Sequence, residues 1–362
     1  MKELEKRNLP DVLRMNDGSC VQGAAQWSMR RKEIMEILNT ELFGTLPRCE
    51  YTRQCEVERE ENHYYHGGKS LIRIARMDVT INEKFFSWKF HYSLPKSEKP
   101  VPVFLMPTFT KLLPVDSIPT EEICDNGFGI TNFDYQSIST DDGDFTNGLS
   151  GLFYPDGARE THDGGKITVW AWAVMRMMDY LTTVPEIDKD RIYIVGHSRL
   201  GKTALWAGAL DERFAGVISV QSGCGGAALA RGNTGETVRN ITEKFSFWFA
   251  PAYTAYADNE TAMPFDQHFL LAMAAPRKLY VTSAAGDLWA DPLGEYLACV
   301  AVEPVYAACG LSGVPEREAL GDEAALNGEQ AGYFRRKGTH FFSRTDWHAI
   351  MNFLSEGEKE NG

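Results

Sequence analysis

Between residues 31 and 42 apolar side chains recur at Ile34, Ile37, Leu38 and Leu42, the spacing of one helical face, and Gly44 and Pro47 end the run. Strand-like runs follow at 53–59, 70–81 and 84–92, parted by His-Gly-Gly and Asn-Glu turns, so the first part of the sheet is expected to be antiparallel. A compact apolar run covers 101–106 and a weaker one 127–132. Residues 166–183 carry the strongest helical pattern, with Val169, Trp172, Ala173, Met177 and Tyr180 on one face. Beyond them, strand-like runs at 192–195, 214–220, 277–284 and 332–336 are joined by stretches that include helical composition at 203–210 and, after the last, near 345. That alternation predicts an α/β fold, a three-layer αβα sandwich on a mixed, mostly parallel sheet, with functional residues gathered at the strands' carboxyl ends. No repeat or linker divides the chain. One domain is therefore expected over 1–362, with 1–48 as a lead-in segment carrying a helix and 228–267 as an insertion over the site.

Composition narrows the function. With 43% hydrophobic and 24% charged residues in 362, the chain has the make-up of a soluble globular protein with a sizeable core. Its 37 basic and 50 acidic residues leave a net charge of −13, which argues against affinity for nucleic acid or an anionic membrane. The cysteines at 20, 49, 55, 124, 224, 299 and 309 are odd in number and lack C-x-x-C spacing, which fits a reducing compartment and offers no zinc site. The opening residues carry charges every few positions, so no signal peptide is expected in the sequence as it stands, and no stretch approaches the roughly 20 apolar residues of a membrane span. A cytoplasmic location is expected for the sequence as it stands, or a secreted one if a leader has been removed.

The candidate chemistry centres on residues 192–202, IYIVGHSRLGK. An apolar strand breaks at Gly196 and delivers Ser198 into a helix start, as a nucleophile elbow does. The second glycine of G-x-S-x-G arrives one place late, at Gly201, and a serine that only caps the helix remains an alternative. A serine hydroxyl needs an imidazole to take its proton and a carboxylate to hold that imidazole's tautomer. Of the histidines near the C-terminus, His340 lies in a loop between a strand and a helix, whereas His348 lies inside the helix, which favours His340. The loop after the 277–284 strand offers Asp287, Asp291 and Glu295. Asp287 comes first, and Asp291 precedes Pro292 as a helix cap would.

With these residues placed, the motifs at 170–181, 196–214, 222–229, 264–281 and 287–295 resemble the glucuronoyl esterases of carbohydrate esterase family 15, in particular their bacterial branch, within the α/β-hydrolase superfamily. The resemblance implies a cofactor-free serine esterase acting on a carbohydrate ester, most directly the bond between (4-O-methyl-)glucuronate of glucuronoxylan, or its oligosaccharides, and an alcohol. It implies Arg199 at the oxyanion, and Lys202 and Trp289 on the sugar. Some members take their acid from a glutamate where this chain has Gln221, which leaves Asp287 as the acid. An acetyl xylan esterase with the same triad is the alternative activity, and a non-catalytic carbohydrate-binding relative a third possibility that the intact Ser, Asp and His set argues against.

Simpler roles stand beside these. Lys202 as a solvated first-turn lysine and Trp289 as packing are the ordinary readings of such residues. Trp170, Trp172, Met175, Met177 and Met178 read as core. His63 and His66 have a metal-like spacing in a strand-turn context, Asp141 to Asp144 (DDGD) hints at calcium without the later ligands, and His268 reads as a structural histidine under the site.

Overall fold

A computed structural model describes residues 2–110 and 117–359. Its strands are β1 (Tyr51–Glu61), β2 (Ser70–Ile81), β3 (Lys84–Pro95), β4 (Val101–Thr108), β5 (Gly129–Asp134), β6 (Ile187–His197), β7 (Gly216–Val220), β8 (Lys278–Ala284), β9 (Ala324–Asn327) and β10 (Ala331–Arg336). They form one ten-stranded sheet in the order β1-β2-β3-β5-β4-β6-β7-β8-β10-β9. The β1-β2-β3-β5 portion is antiparallel, β5 through β10 pair in parallel, and β9 returns antiparallel on β10.

Side-chain alternation explains the two halves. In β2 and β3 the pairs Ala75↔Phe90 and Met77↔Trp88 put apolar side chains on one buried face, while their neighbours stay partly exposed. In β4 every residue of VPVFLMPT is buried, as a strand covered on both faces requires. Helices α1 (Ala24–Glu41), α2 (Lys166–Leu181) and α3 (Arg199–Leu210) contribute Ile34, Leu38, Trp170, Met177 and Trp206 to the larger core. On the opposite face, Phe104, Val195 and Tyr280 pack with Trp347, Ile350 and Met351 of α6 (Arg344–Lys359). Two further helices, α4 (Val238–Phe245) and α5 (Pro292–Ala301), flank the loops at the strands' carboxyl ends.

Several boundaries differ from the sequence pattern. α3 starts at Arg199 rather than 203, because the turn from β6 consists of a single residue and Gly201 in the first helical turn weakens the compositional signal. β9 is four residues long and carries too little alternation to be seen. The lead-in helix begins at Ala24 and is tied to the body by Trp27 Nε1 donating to Ala275 O (3.2 Å) and Arg31 to Ala209 O (2.7 Å). No helix among the described residues is long and apolar enough to cross a membrane.

Candidate active site

β6 pairs in parallel with β7 as far as His197↔Val220, and the next residue, Ser198, turns the chain into α3. Ser198 has φ 57° and ψ −129°, a backbone state that L-residues avoid unless the surroundings impose it. Two features impose it here. The Ser198 N–H donates to Val220 O at 2.9 Å, and a Cβ on Gly196 would lie 2.0 Å from Leu200 O, so only glycine fits under the turn. Gly201 is crowded less severely: a Cβ there would stand 2.9 Å from the Ser222 Cβ. The glycine that arrives one place late is thus a packing requirement between α3 and the loop after β7. Ser198 makes no side-chain cap bond, which sets aside the capping alternative.

Asp287 and His340 follow the neighbouring parallel strands β8 and β10. Backbone bonds from Ala285 N to Arg336 O and from Gly286 N to Gly338 O, each 2.8 Å, zip the two loops together. His340 Nδ1 lies 2.6 Å from Asp287 Oδ2; the carboxylate is 7% exposed while the imidazole is open to solvent. A carboxylate at Nδ1 leaves Nε2 as the basic nitrogen. The rest of the histidine loop is held by Arg336, which donates to Lys337 O (2.8 Å), Thr339 O (3.1 Å) and Phe341 O and is itself paired with buried Asp346 at 2.8 Å.

The His197 ring packs 4.6 Å from that of His340. Burial, reinforced by the adjacent His340, drives His197 down to about 3, so it is a neutral imidazole. Gln221, in the left-handed region at φ 49°, accepts from Phe341 N (2.9 Å) and donates to Phe341 O (3.1 Å), gripping the residue after His340 by both of its backbone groups.

Lys202 points inward from the first turn of α3. It is 4% exposed, and its Nζ donates to Ser222 O, so the solvated-lysine reading fails. Burial lowers its pKa, and the nearby Glu236 carboxylate acts in the opposite direction. The Arg199 guanidinium is ion-paired with Asp141 and lies over the rings of Trp248 (4.7 Å), Phe245 (5.6 Å) and Phe109 (5.8 Å). Trp289 is 53% exposed and carries the Lys244 ammonium 5.9 Å above its ring, so it is a surface aromatic rather than core.

The family model for glucuronyl esterases of fungi matches residues 77–310. A carbohydrate esterase named MZ0003, from an unknown prokaryotic organism, is 32% identical over 97% of this chain and 90% of its own length. The chain belongs to the glucuronoyl esterase family. A solved glucuronoyl esterase from Solibacter usitatus superposes with a TM-score of 0.89 at 32% identity, covering 97% of each chain, and places this esterase in the α/β-hydrolase fold. The 4-O-methyl-glucuronoyl methylesterase of Podospora anserina is 31% identical over 80% of the chain, which spans 57% of that longer protein.

Other residues of this esterase make contacts outside the Asp287–His340 hydrogen bond. His348 pairs with Glu122 at 2.6 Å on α6. His268 is buried and meets the Pro10 carbonyl at 3.0 Å. Asp291 caps α5, accepting from Gly294 N at 3.1 Å, and also holds Thr234. Glu295 is wholly buried and accepts from Gly223 N (3.0 Å) and Ser283 Oγ (2.5 Å), raised by burial to about 8. His66 meets Ser70 at 3.2 Å, and the DDGD carboxylates are engaged by their own loop and by Arg199, Trp248 and Tyr135. Among the described residues no group of His, Cys, Asp and Glu is arranged to hold a metal ion. Sequence reasoning missed His197 and Glu236 and read Gln221 only as a missing carboxylate. His197 and Gln221 owe their roles to loops far along the chain, and Glu236, whose N–H donates to Trp289 O at 2.8 Å, belongs to no motif.

Proposed function

We propose that this esterase cleaves the ester between a glucuronate carboxyl and an alcohol through an acyl-enzyme on Ser198. The observation that carries the reading is the 2.6 Å Asp287–His340 bond, made by a buried carboxylate to an exposed imidazole on the loop beside the Ser198 elbow. His340 Nε2 takes the Ser198 proton as Oγ attacks the ester carbonyl, and Asp287 stabilises the imidazolium that forms. The tetrahedral oxyanion is met by the Arg199 backbone N–H, at a helix start where such groups have no partner within the helix, and by its guanidinium. Proton transfer from His340 releases the alcohol. Water, deprotonated by the same imidazole, then frees Ser198 and the glucuronate.

The recessed Lys202 ammonium and the neighbouring Glu236 carboxylate provide a donor and an acceptor for sugar hydroxyls, and Trp289 an exposed face for the ring. The Podospora relative's name refers to the same bond, methyl esters of 4-O-methyl-glucuronate. The test compares benzyl glucuronate hydrolysis with acetate release from acetylated xylan, for wild type and Ser198→Ala. Loss of benzyl glucuronate turnover in Ser198→Ala supports the reading. A wild-type preference for acetate would assign the site to deacetylation instead, and turnover surviving in Ser198→Ala would remove the serine mechanism altogether.

A further inference from the structure

The first aspartate of DDGD is 58 residues upstream of Arg199, in an irregular loop, yet its carboxylate is filled from the side of the active site. Asp141 Oδ1 accepts from Trp248 Nε1 at 2.6 Å; Oδ2 accepts from Tyr135 OH at 2.6 Å and from Arg199 Nη1. The three donors come from three places: the end of β5, the first residue of α3, and the segment after α4.

The loop that carries Asp141 is itself rigidly held. Lys166 Nζ donates to Ser139 Oγ (2.7 Å) and Asp144 O (2.6 Å), Trp170 Nε1 to Ser139 O (3.1 Å), and Thr140 N to Asn147 Oδ1 (3.2 Å). Asp142 and Asp144 spend their carboxylates on turns of the same loop, accepting from Thr140 and Asp144 N and from Thr146. Asp141 alone turns its charge toward the nucleophile. On the other side, Trp248, Phe245 and Phe109 limit the tilt of the guanidinium. With Nη1 engaged and its faces covered, Arg199 keeps a buried Nε–H that has no partner.

We propose that Asp141 is a positioning residue of the esterase reaction, fixing the Arg199 guanidinium beside Ser198 and tying it through Trp248 to segment 228–267. This rests on the reading of Arg199 as an oxyanion contact. An arginine free to rotate would have to be ordered in every transition state, whereas a guanidinium already held in one orientation loses little freedom. The carboxylate also offsets part of the guanidinium's charge. The proposal is that orientation outweighs this loss, so removing the carboxylate slows the reaction rather than speeding it.

The test is a double-mutant cycle on benzyl glucuronate, with kcat and KM measured for wild type, Asp141→Asn, Arg199→Met and the double variant. Arg199→Met is expected to lower kcat by roughly 100-fold, the scale of one lost oxyanion donor. Asp141→Asn should lower kcat by roughly 10-fold with KM nearly unchanged, the scale of rotamer freedom regained by an arginine. In the Arg199→Met background it should then change kcat by less than about 3-fold, because its effect passes through Arg199. Full multiplication of the two effects, or a kcat for Asp141→Asn at or above wild type, overturns the proposal. An unchanged kcat for Arg199→Met removes the oxyanion reading and this proposal together, whereas a slow Arg199→Met with multiplicative effects removes only the role of Asp141. Should Asp141→Asn fail to fold, Trp248→Phe replaces it: that change removes one donor to Asp141 and keeps an aromatic face. Its loss in kcat must likewise vanish beside Arg199→Met, and persistence there counts against the proposal.

Discussion

Glu295→Gln isolates a buried carboxyl that has no part in the proposed reaction. Its oxygens take the Gly223 N–H and the Ser283 hydroxyl, with no exposure to solvent, and burial raises it from 4.5 to about 8. The two hydrogen bonds and the Lys202 ammonium pull it down, while the Asp287 charge pushes it up. Between 4.5 and about 8 the folded protein keeps this proton and the unfolded chain releases it, so the folded state binds more protons and stability falls as pH rises across that window. Carried through to pH 9, the loss is at most about 5 kcal/mol; at pH 5 it is under about 1 kcal/mol. A glutamine avoids the penalty and can still accept from Gly223 while its NH2 donates to the Ser283 oxygen. Urea unfolding of wild type and Glu295→Gln at pH 5, 7 and 9 therefore should give nearly equal stabilities at pH 5 and a growing advantage for glutamine above it. Taking the difference cancels the titrations shared by both proteins. Parallel curves across the three pH values, or a wild type that is the more stable at pH 9, would refute a neutral Glu295.

Three further outcomes follow from the site. Lys202→Met should lower kcat/KM for the glucuronate ester by roughly 10- to 100-fold, the value of a charge-assisted hydrogen bond, and spare an activated acetyl ester; equal losses on both substrates would deny it a sugar contact. Gln221→Leu, which deletes both bonds to Phe341, should reduce kcat by about 10-fold with KM retained, since each bond is worth about 1 kcal/mol and both align the histidine loop; a lower melting temperature with unchanged kcat would make the residue purely structural. Asp291→Ala, which uncaps α5 and releases Thr234, should cost about 2 kcal/mol in urea unfolding, and a loss below about 0.5 kcal/mol would contradict the capping role.

What could be seen from the sequence was whatever depends on neighbours in the chain. The antiparallel-then-parallel order of strands followed from periodicity, and the elbow from the abrupt change of composition at Gly196. Asp287 and His340 were nominated by order and loop context, and the fold brings them within hydrogen-bond reach. What stayed hidden depends on contacts made across loops. Lys202 looked like a solvated cation because nothing in its own helix shows that the Ser222 loop closes over it. Gln221 looked like a lost carboxylate; its use as a two-point grip requires the backbone of Phe341, 120 residues away. DDGD, which hints at calcium but lacks the later ligands, shows only its charges in the sequence and not the arginine, tryptophan and tyrosine that meet the first of them.

The paired imidazoles have a consequence for kinetics. Two histidine rings packed 4.6 Å apart could share a proton and blur the acid limb of a rate profile over two overlapping ionisations. With His197 driven down to about 3 by burial, its ring stays uncharged near neutral pH and takes no share of that proton. The ring pair is then a contact surface rather than a relay: the His340 imidazole lies against an uncharged partner, and in the proposed mechanism a proton that it takes from Ser198 has to be handed on to the departing alcohol.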